Sequence, residues 1–204
     1  MNIQAKKDYS ESSFAESASN LIRSDKYSEI EKLEKNADKF AEGDLRSVEK
    51  SLYGYETALK LAESENMQED IKRILEKNVS AYEKIGDLAF SYEYWNESAA
   101  MYATGASLAM RYGKEEKAKE LAKKAIGAYV SDAERVRREG YIVTNYTRAA
   151  IIAITYDLPE KNIYISKSVE LLKKAKEKNK ASDPEDVKRI DEYIEKLSES
   201  KLPL

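Results

Sequence analysis

Apolar residues recur along most of the chain in steps of three and four, the spacing that lines one face of a helix. Leu45, Val48, Leu52, Tyr55 and Leu59 form one such stripe, Ile30, Leu33, Ala37 and Phe40 precede it, and Phe14, Ala18, Leu21 and Ile22 suggest a further helix near the N-terminus. Ile71, Leu75, Val79, Tyr82, Ile85 and Ala89 predict a long helix after Asn66, and another runs from Trp95 to Tyr112. Ala118, Leu121, Ala122, Ala125 and Tyr129 begin a helix expected to reach Glu139, and Ile142, Tyr146, Ala149, Ala150 and Ala153 mark the next. No segment shows the strict alternation and turn chemistry of a hairpin. About nine helices are expected in all, and their short connections make sequential helices antiparallel neighbours.

The punctuation fits helices. Gly43 reads as the residue closing one helix and Asp44 as the N-cap of the next. Gly113 and Gly140 read as stops. Asp157-Leu158-Pro159-Glu160 reads as a helix start, with Asp as N-cap, Pro in the first turn and a capping-box Glu. Ser182-Asp183-Pro184-Glu185 repeats that logic for the last helix. Residues 184–204 should cap the array, with Val187, Ile190, Ile194 and Leu197 inward and Asp186, Lys188, Asp191, Glu192 and Glu195 outward.

From Tyr82 to Ala109 the chain carries Ile85-Gly86, then Trp95, then Ser98, Tyr102 and Gly105. This resembles a tetratricopeptide repeat: an apolar–glycine pair in the first helix, an aromatic residue at the turn, and small, aromatic, small positions in the second. Small residues let helices approach and the ring fills the gap between them. The same small-to-small spacing recurs at Ala118/Ala125 around Ala122 and at Ser168/Ala175 around Leu172. The recurrences do not keep the repeat's period of about 34 residues. Long paired helices of this kind look more like the SNAP-family adaptors. The resemblance implies a single all-α domain over 1–204, wound as a right-handed solenoid whose concave surface binds a protein segment. A SNAP-like membrane-trafficking adaptor is the second reading it implies.

Composition narrows the chemistry. There is no cysteine and no histidine, which removes disulfides, thiolate and imidazole metal sites, cysteine nucleophiles and the Ser-His-Asp triad. The seven glycines are dispersed and form no phosphate-cradling loop. No metal, no organic cofactor and no enzymatic activity are expected; a helical-bundle enzyme or metal carrier is the reading from a different class. Glu63, Glu65, Glu69 and Asp70 read as a solvated acidic loop.

Charge nearly cancels overall, 35 Lys+Arg against 38 Asp+Glu, but not along the chain. Residues 1–102 hold 14 basic and 21 acidic side chains, and residues 103–204 hold 21 and 17. Such a molecule can associate head to tail with a second copy. Nucleic acid is an unexpected partner at a pI near 5.4 with no recognition motif. The polar N-terminus shows no apolar leader, and no stretch is long and apolar enough to span a bilayer, so a cytoplasmic protein is expected.

The candidate binding residues come from an excess of tyrosine, 15 against 3 Phe. Tyr129, Arg135, Arg138, Tyr141, Asn145 and Arg148 fall within about twenty residues, on two helices that should pair. Tyr offers large area with few rotamers to freeze, and Arg offers a planar fork for carboxylates. An acidic or aromatic peptide suits that mixture. The Lys and Asn pattern by which tetratricopeptide domains clamp a chain-terminal carboxylate is missing, so that specificity does not carry over.

Overall fold

The structure is a computed structural model and describes residues 24–135, 139–179 and 184–199. Among them are eight helices and no strand. These are α1 over residues 24–38, α2 Leu45–Ser64, α3 Gln68–Ser91, α4 Trp95–Arg111, α5 Glu115–Arg135, α6 Glu139–Thr155, α7 Lys161–Asn179 and α8 Pro184–Ser198. The all-α expectation holds. The count is eight rather than nine; the helix expected around Phe14 to Ile22 lies outside the described residues. The chain divides into two compact units, one through Ala81 and one from Tyr82, and the division falls within α3.

In the first unit, α1 and α2 meet at small residues. A Cβ added to Gly54 would stand 2.8 Å from that of Ala37. Beside this contact the buried Tyr55 donates its hydroxyl to Asp38 at 2.6 Å. Arg73 and Lys77 of α3 each reach Glu34 of α1 at 2.7 Å, and Lys77 reaches Asp38 at 2.8 Å while lying 5.9 Å from the Tyr55 ring. Asp70 is buried and paired with Arg73 at 2.7 Å, so it is not part of a solvated loop as expected.

Burial alone would raise the Glu34 and Asp38 carboxyls, but hydrogen bonds and charge from Lys77, with Arg73 on Glu34 and Tyr55 on Asp38, outweigh it and hold both below their ordinary values. Their folded pKa values therefore lie below the unfolded ones. The stabilisation is complete above the ordinary values of 4.5 and 3.8 and is lost as pH falls through the depressed ones. The urea midpoint should stay level from about pH 7 to 5 and drop below about pH 4.5. The drop should shrink in Arg73→Met/Lys77→Met, and an acid limb unchanged in that variant would assign it elsewhere.

The second unit builds the same joint. A Cβ on Gly86 would fall 2.5 Å from the Tyr102 ring. Ser98 donates its hydroxyl to the Gly86 carbonyl at 2.8 Å, and Tyr102 donates to Asp87 at 2.5 Å. Lys124 of α5 reaches Glu83 at 2.8 Å and Asp87 at 3.0 Å and lies 5.4 Å from the Tyr102 ring. Glu34, Asp38, Tyr55 and Lys77 thus recur as Glu83, Asp87, Tyr102 and Lys124. Tyrosine and aspartate stand 17 residues apart in the first unit and 15 in the second, because the α1–α2 connection is longer. Gly86, Ser98, Tyr102 and Gly105 all sit at helix contacts, with Gly105 held between Tyr82 and Leu121. From α4 onward each helix packs on its successor through α8. Leu197 of α8 is buried with Leu172 and Ala150, flanked by Ile190 and Ile194.

Four connections share one geometry. Asn66, Glu93, Gly113 and Asp157 have φ of 55°, 63°, 73° and 47°. The next amide in each case donates to an alanine carbonyl five residues back, at 2.9 Å: Met67 to Ala62, Tyr94 to Ala89, Lys114 to Ala109 and Leu158 to Ala153. This is the Schellman helix ending, in which one left-handed residue turns the chain and satisfies an orphan carbonyl. Two expectations are corrected. Asp157 closes α6 instead of capping α7, and Gly140 lies inside α6, whose first residue is Glu139. Gly43 has no positive φ either, whereas Asp44 does cap α2, accepting from the Ser47 amide at 2.9 Å. Pro184 opens α8 as expected.

Gly113 and Gly127 make a clean pair, since an added Cβ meets nothing within 4 Å at either. Gly113→Ala should destabilise by about 1 kcal/mol through its left-handed backbone. Gly127→Ala, inside α5, should stabilise by about 0.5–1 kcal/mol. Thermal melts of the two variants moving in the same direction would contradict this.

Candidate functional site: a polar face on α4, α5 and α6

Within the second unit, the start of α4, the end of α5 and the first turns of α6 bring charged and aromatic side chains together. Helical spacing does the placing. Tyr129, Asp132 and Arg135 follow each other at three-residue steps on α5, and Tyr141, Asn145 and Arg148 lie one and two turns apart on α6. The left-handed turn at Glu93 delivers Trp95 and Asn96 as the first residues of α4.

At the centre is Asp132, 8% exposed. Its Oδ2 accepts from the amide nitrogens of Asn96 and Asn145, each at 2.7 Å. Asn96 in turn accepts from Arg148 at 3.2 Å, and the Arg148 guanidinium lies 5.5 Å from the centre of the Tyr129 ring. The Arg135 guanidinium lies over Trp95, 4.9 Å from the ring centre, and pairs with Glu93 at 2.6 Å. Both guanidiniums therefore lie over aromatic rings within cation–π range, and each is also bonded to a neighbouring side chain. Tyr92 and Tyr94 flank Glu93, each 56% exposed, with their rings 6.3 Å apart.

Of the residues expected from sequence, Tyr129, Arg135, Asn145 and Arg148 do converge in this network. Two play other parts than expected. Tyr129 is buried and serves as the platform for Arg148, and Asn145 is buried and works through Asp132. Tyr141 is half exposed on the same stripe of α6 as Asn145 and Arg148. Arg138 lies outside the described residues. Sequence reasoning missed Asp132, Asn96 and Glu93 as members and placed Trp95 only as a turn aromatic. The available signal was Asp132 itself, a charge set into the alanine-rich face of α5 that contains Ala125, Ala128 and Ala133.

Among the described residues, no group of three or more acidic side chains is arranged to hold a metal ion. No described helix is long and apolar enough to cross a membrane. No protein-family model matches this chain. No curated protein matches it. A solved chain described as "Computational Design of Self-Assembling Cyclic Protein Homooligomers" is 23% identical, with 94% of this chain and 84% of that one covered and a TM-score of 0.32.

Proposed function

We propose that this chain is a non-enzymatic interaction scaffold, a tetratricopeptide-like helical repeat protein of the cytosol that binds a protein segment across α4, α5 and α6. The observation carrying this reading is the pair of arginines lying over aromatic rings, Arg135 over Trp95 and Arg148 over Tyr129, bordered by the half-exposed Tyr92 and Tyr94. Tyr, Trp and Arg are the residues in which binding energy concentrates at protein interfaces. A guanidinium has five donors, so one bonded to a neighbour can still receive a carboxylate, and the favoured segment carries acidic and aromatic residues. The Tyr–Asp–Lys–Glu joint found in both units supports the repeat architecture, since repetition of one interhelix contact is how such arrays are built.

Selection from displayed random peptides should enrich segments with Asp or Glu next to aromatic residues. Affinity for a selected peptide should fall more than about tenfold, about 1.4 kcal/mol, in Arg135→Ala/Arg148→Ala, and should weaken with added salt. The double variant should melt close to the parent, because the Arg135–Glu93 pair is exposed and contributes little. Full affinity in that variant would place binding elsewhere.

A further inference from the structure

Three carboxylates are buried among the described residues: Glu34, Asp70 and Asp132. Glu34 is paired with Arg73 and Lys77, and Asp70 with Arg73. Asp132 is different, for no cation among the described residues pairs with it. Its hydrogen bonds come from the neutral amides of Asn96 and Asn145. The guanidiniums of Arg148 and Arg135 each bond another side chain, Asn96 and Glu93, and not Asp132. Removing a carboxylate from water costs a great deal unless a positive charge offsets it. Neutral donors hold such a group in place without cancelling its charge.

A second observation points to the same spot. Asn145 is 1% exposed, and its Oδ1 is buried without any hydrogen-bond donor. The amide cannot turn to relieve this, because its Nδ2 is committed to Asp132. A buried acceptor left without a donor is rare and costly in a folded protein. Among the described residues the site thus holds a carboxylate with no paired cation and, on the adjoining amide, an acceptor with no donor.

We infer that Asp132 and Asn145 form a receptor for a primary ammonium group, the side-chain terminus of a lysine in the bound segment. An ammonium is compact, carries three donors and can serve both oxygens, whereas a guanidinium is planar and larger. Arg135 and Arg148 on the rim would then read acidic neighbours of that lysine. The inference rests on the reading of this face as a protein-binding surface, but its test needs no partner.

The probe is N-acetyl-lysine methylamide, titrated into the full chain while the side-chain amide resonances of Asn96 and Asn145 are followed by 15N NMR. The neutral control is N-acetyl-norleucine methylamide, with a similar stem and no charge. The expected result is a saturable shift of both amides in the millimolar range with the lysine compound, none with norleucine, and loss of the shift in Asp132→Asn. Asn145→Ala retains the carboxylate and should weaken the response severalfold, which keeps a test available if Asp132→Asn fails to fold. No saturable shift, an equal shift with norleucine, or a shift that survives Asp132→Asn would each overturn the inference. A lysine response without peptide binding would sink the scaffold reading alone. Peptide binding that depends on Arg135 and Arg148, without a lysine response, would sink this inference alone.

Discussion

Tyr102→Ala should cost about 3–5 kcal/mol, the largest single loss expected in the molecule. The ring is 4% exposed and packs on the bare backbone at Gly86. Truncation leaves a void that the two helices cannot collapse into while Ser98 ties them together through the Gly86 carbonyl. It also strips Asp87 of its phenol donor, leaving Lys124 as partner. Burial and the neighbouring Asp87 push the Tyr102 phenol up, so it stays a neutral donor at all ordinary pH values. Tyr102→Phe keeps the ring and should cost about 1–2 kcal/mol. Tyr55→Ala and Tyr55→Phe should repeat both results, since Tyr55 is 3% exposed and bonded to Asp38 in the same way. Denaturant unfolding measures all four. A cost near zero for Tyr102→Ala would mean that the joint does not hold the helices.

Adding bulk at the same contacts should be nearly as damaging. Gly86→Leu drives a side chain into a ring whose edge would already be 2.5 Å from the first added carbon. The ring cannot swing aside without breaking its bond to Asp87. Gly105→Leu meets Tyr82 at 3.1 Å and Leu121 at 3.2 Å from its Cβ alone. Overpacking of this kind costs about 1–3 kcal/mol or more, and Gly86, facing the closer contact, should lie at the upper end. Gly127→Leu is the control, since nothing stands within 4 Å of its Cβ. Melting temperatures should fall for the first two and not for the third. Equal behaviour of all three would remove the close-approach explanation.

How legible all this is in the sequence depends on which residue carries the signal. The joint at Gly86, Ser98, Tyr102 and Gly105 can be read directly, because a close helix contact needs small residues around one ring. Its counterpart at Ser51, Tyr55 and Ala58 has identical spacing but no glycine at the third position. The partner of Tyr55 is Ala37–Asp38 and not Gly–Asp, and Tyr55 to Tyr102 is 47 residues, so a search near 34 passes over it. The left-handed turns at Glu93 and Asp157 are hidden for a related reason: glycine is the usual sign of positive φ, and only Gly113 shows it. In the candidate site, pairing of α5 with α6 makes the meeting of Tyr129, Asn145 and Arg148 foreseeable. The partners of Asp132 are not, since its place in the alanine-rich face of α5 signals burial but tertiary contacts choose what it bonds to.

Trp95 offers the most direct test of the proposed binding face. It is the only tryptophan in the chain and lies beneath Arg135 on that face. Its emission, excited selectively away from tyrosine, should change on titration with a selected peptide, saturate at the dissociation constant measured by calorimetry, and stop responding in Arg135→Ala/Arg148→Ala. Calorimetric binding at full strength with Trp95 emission unmoved would contradict the account and put the interface on another surface.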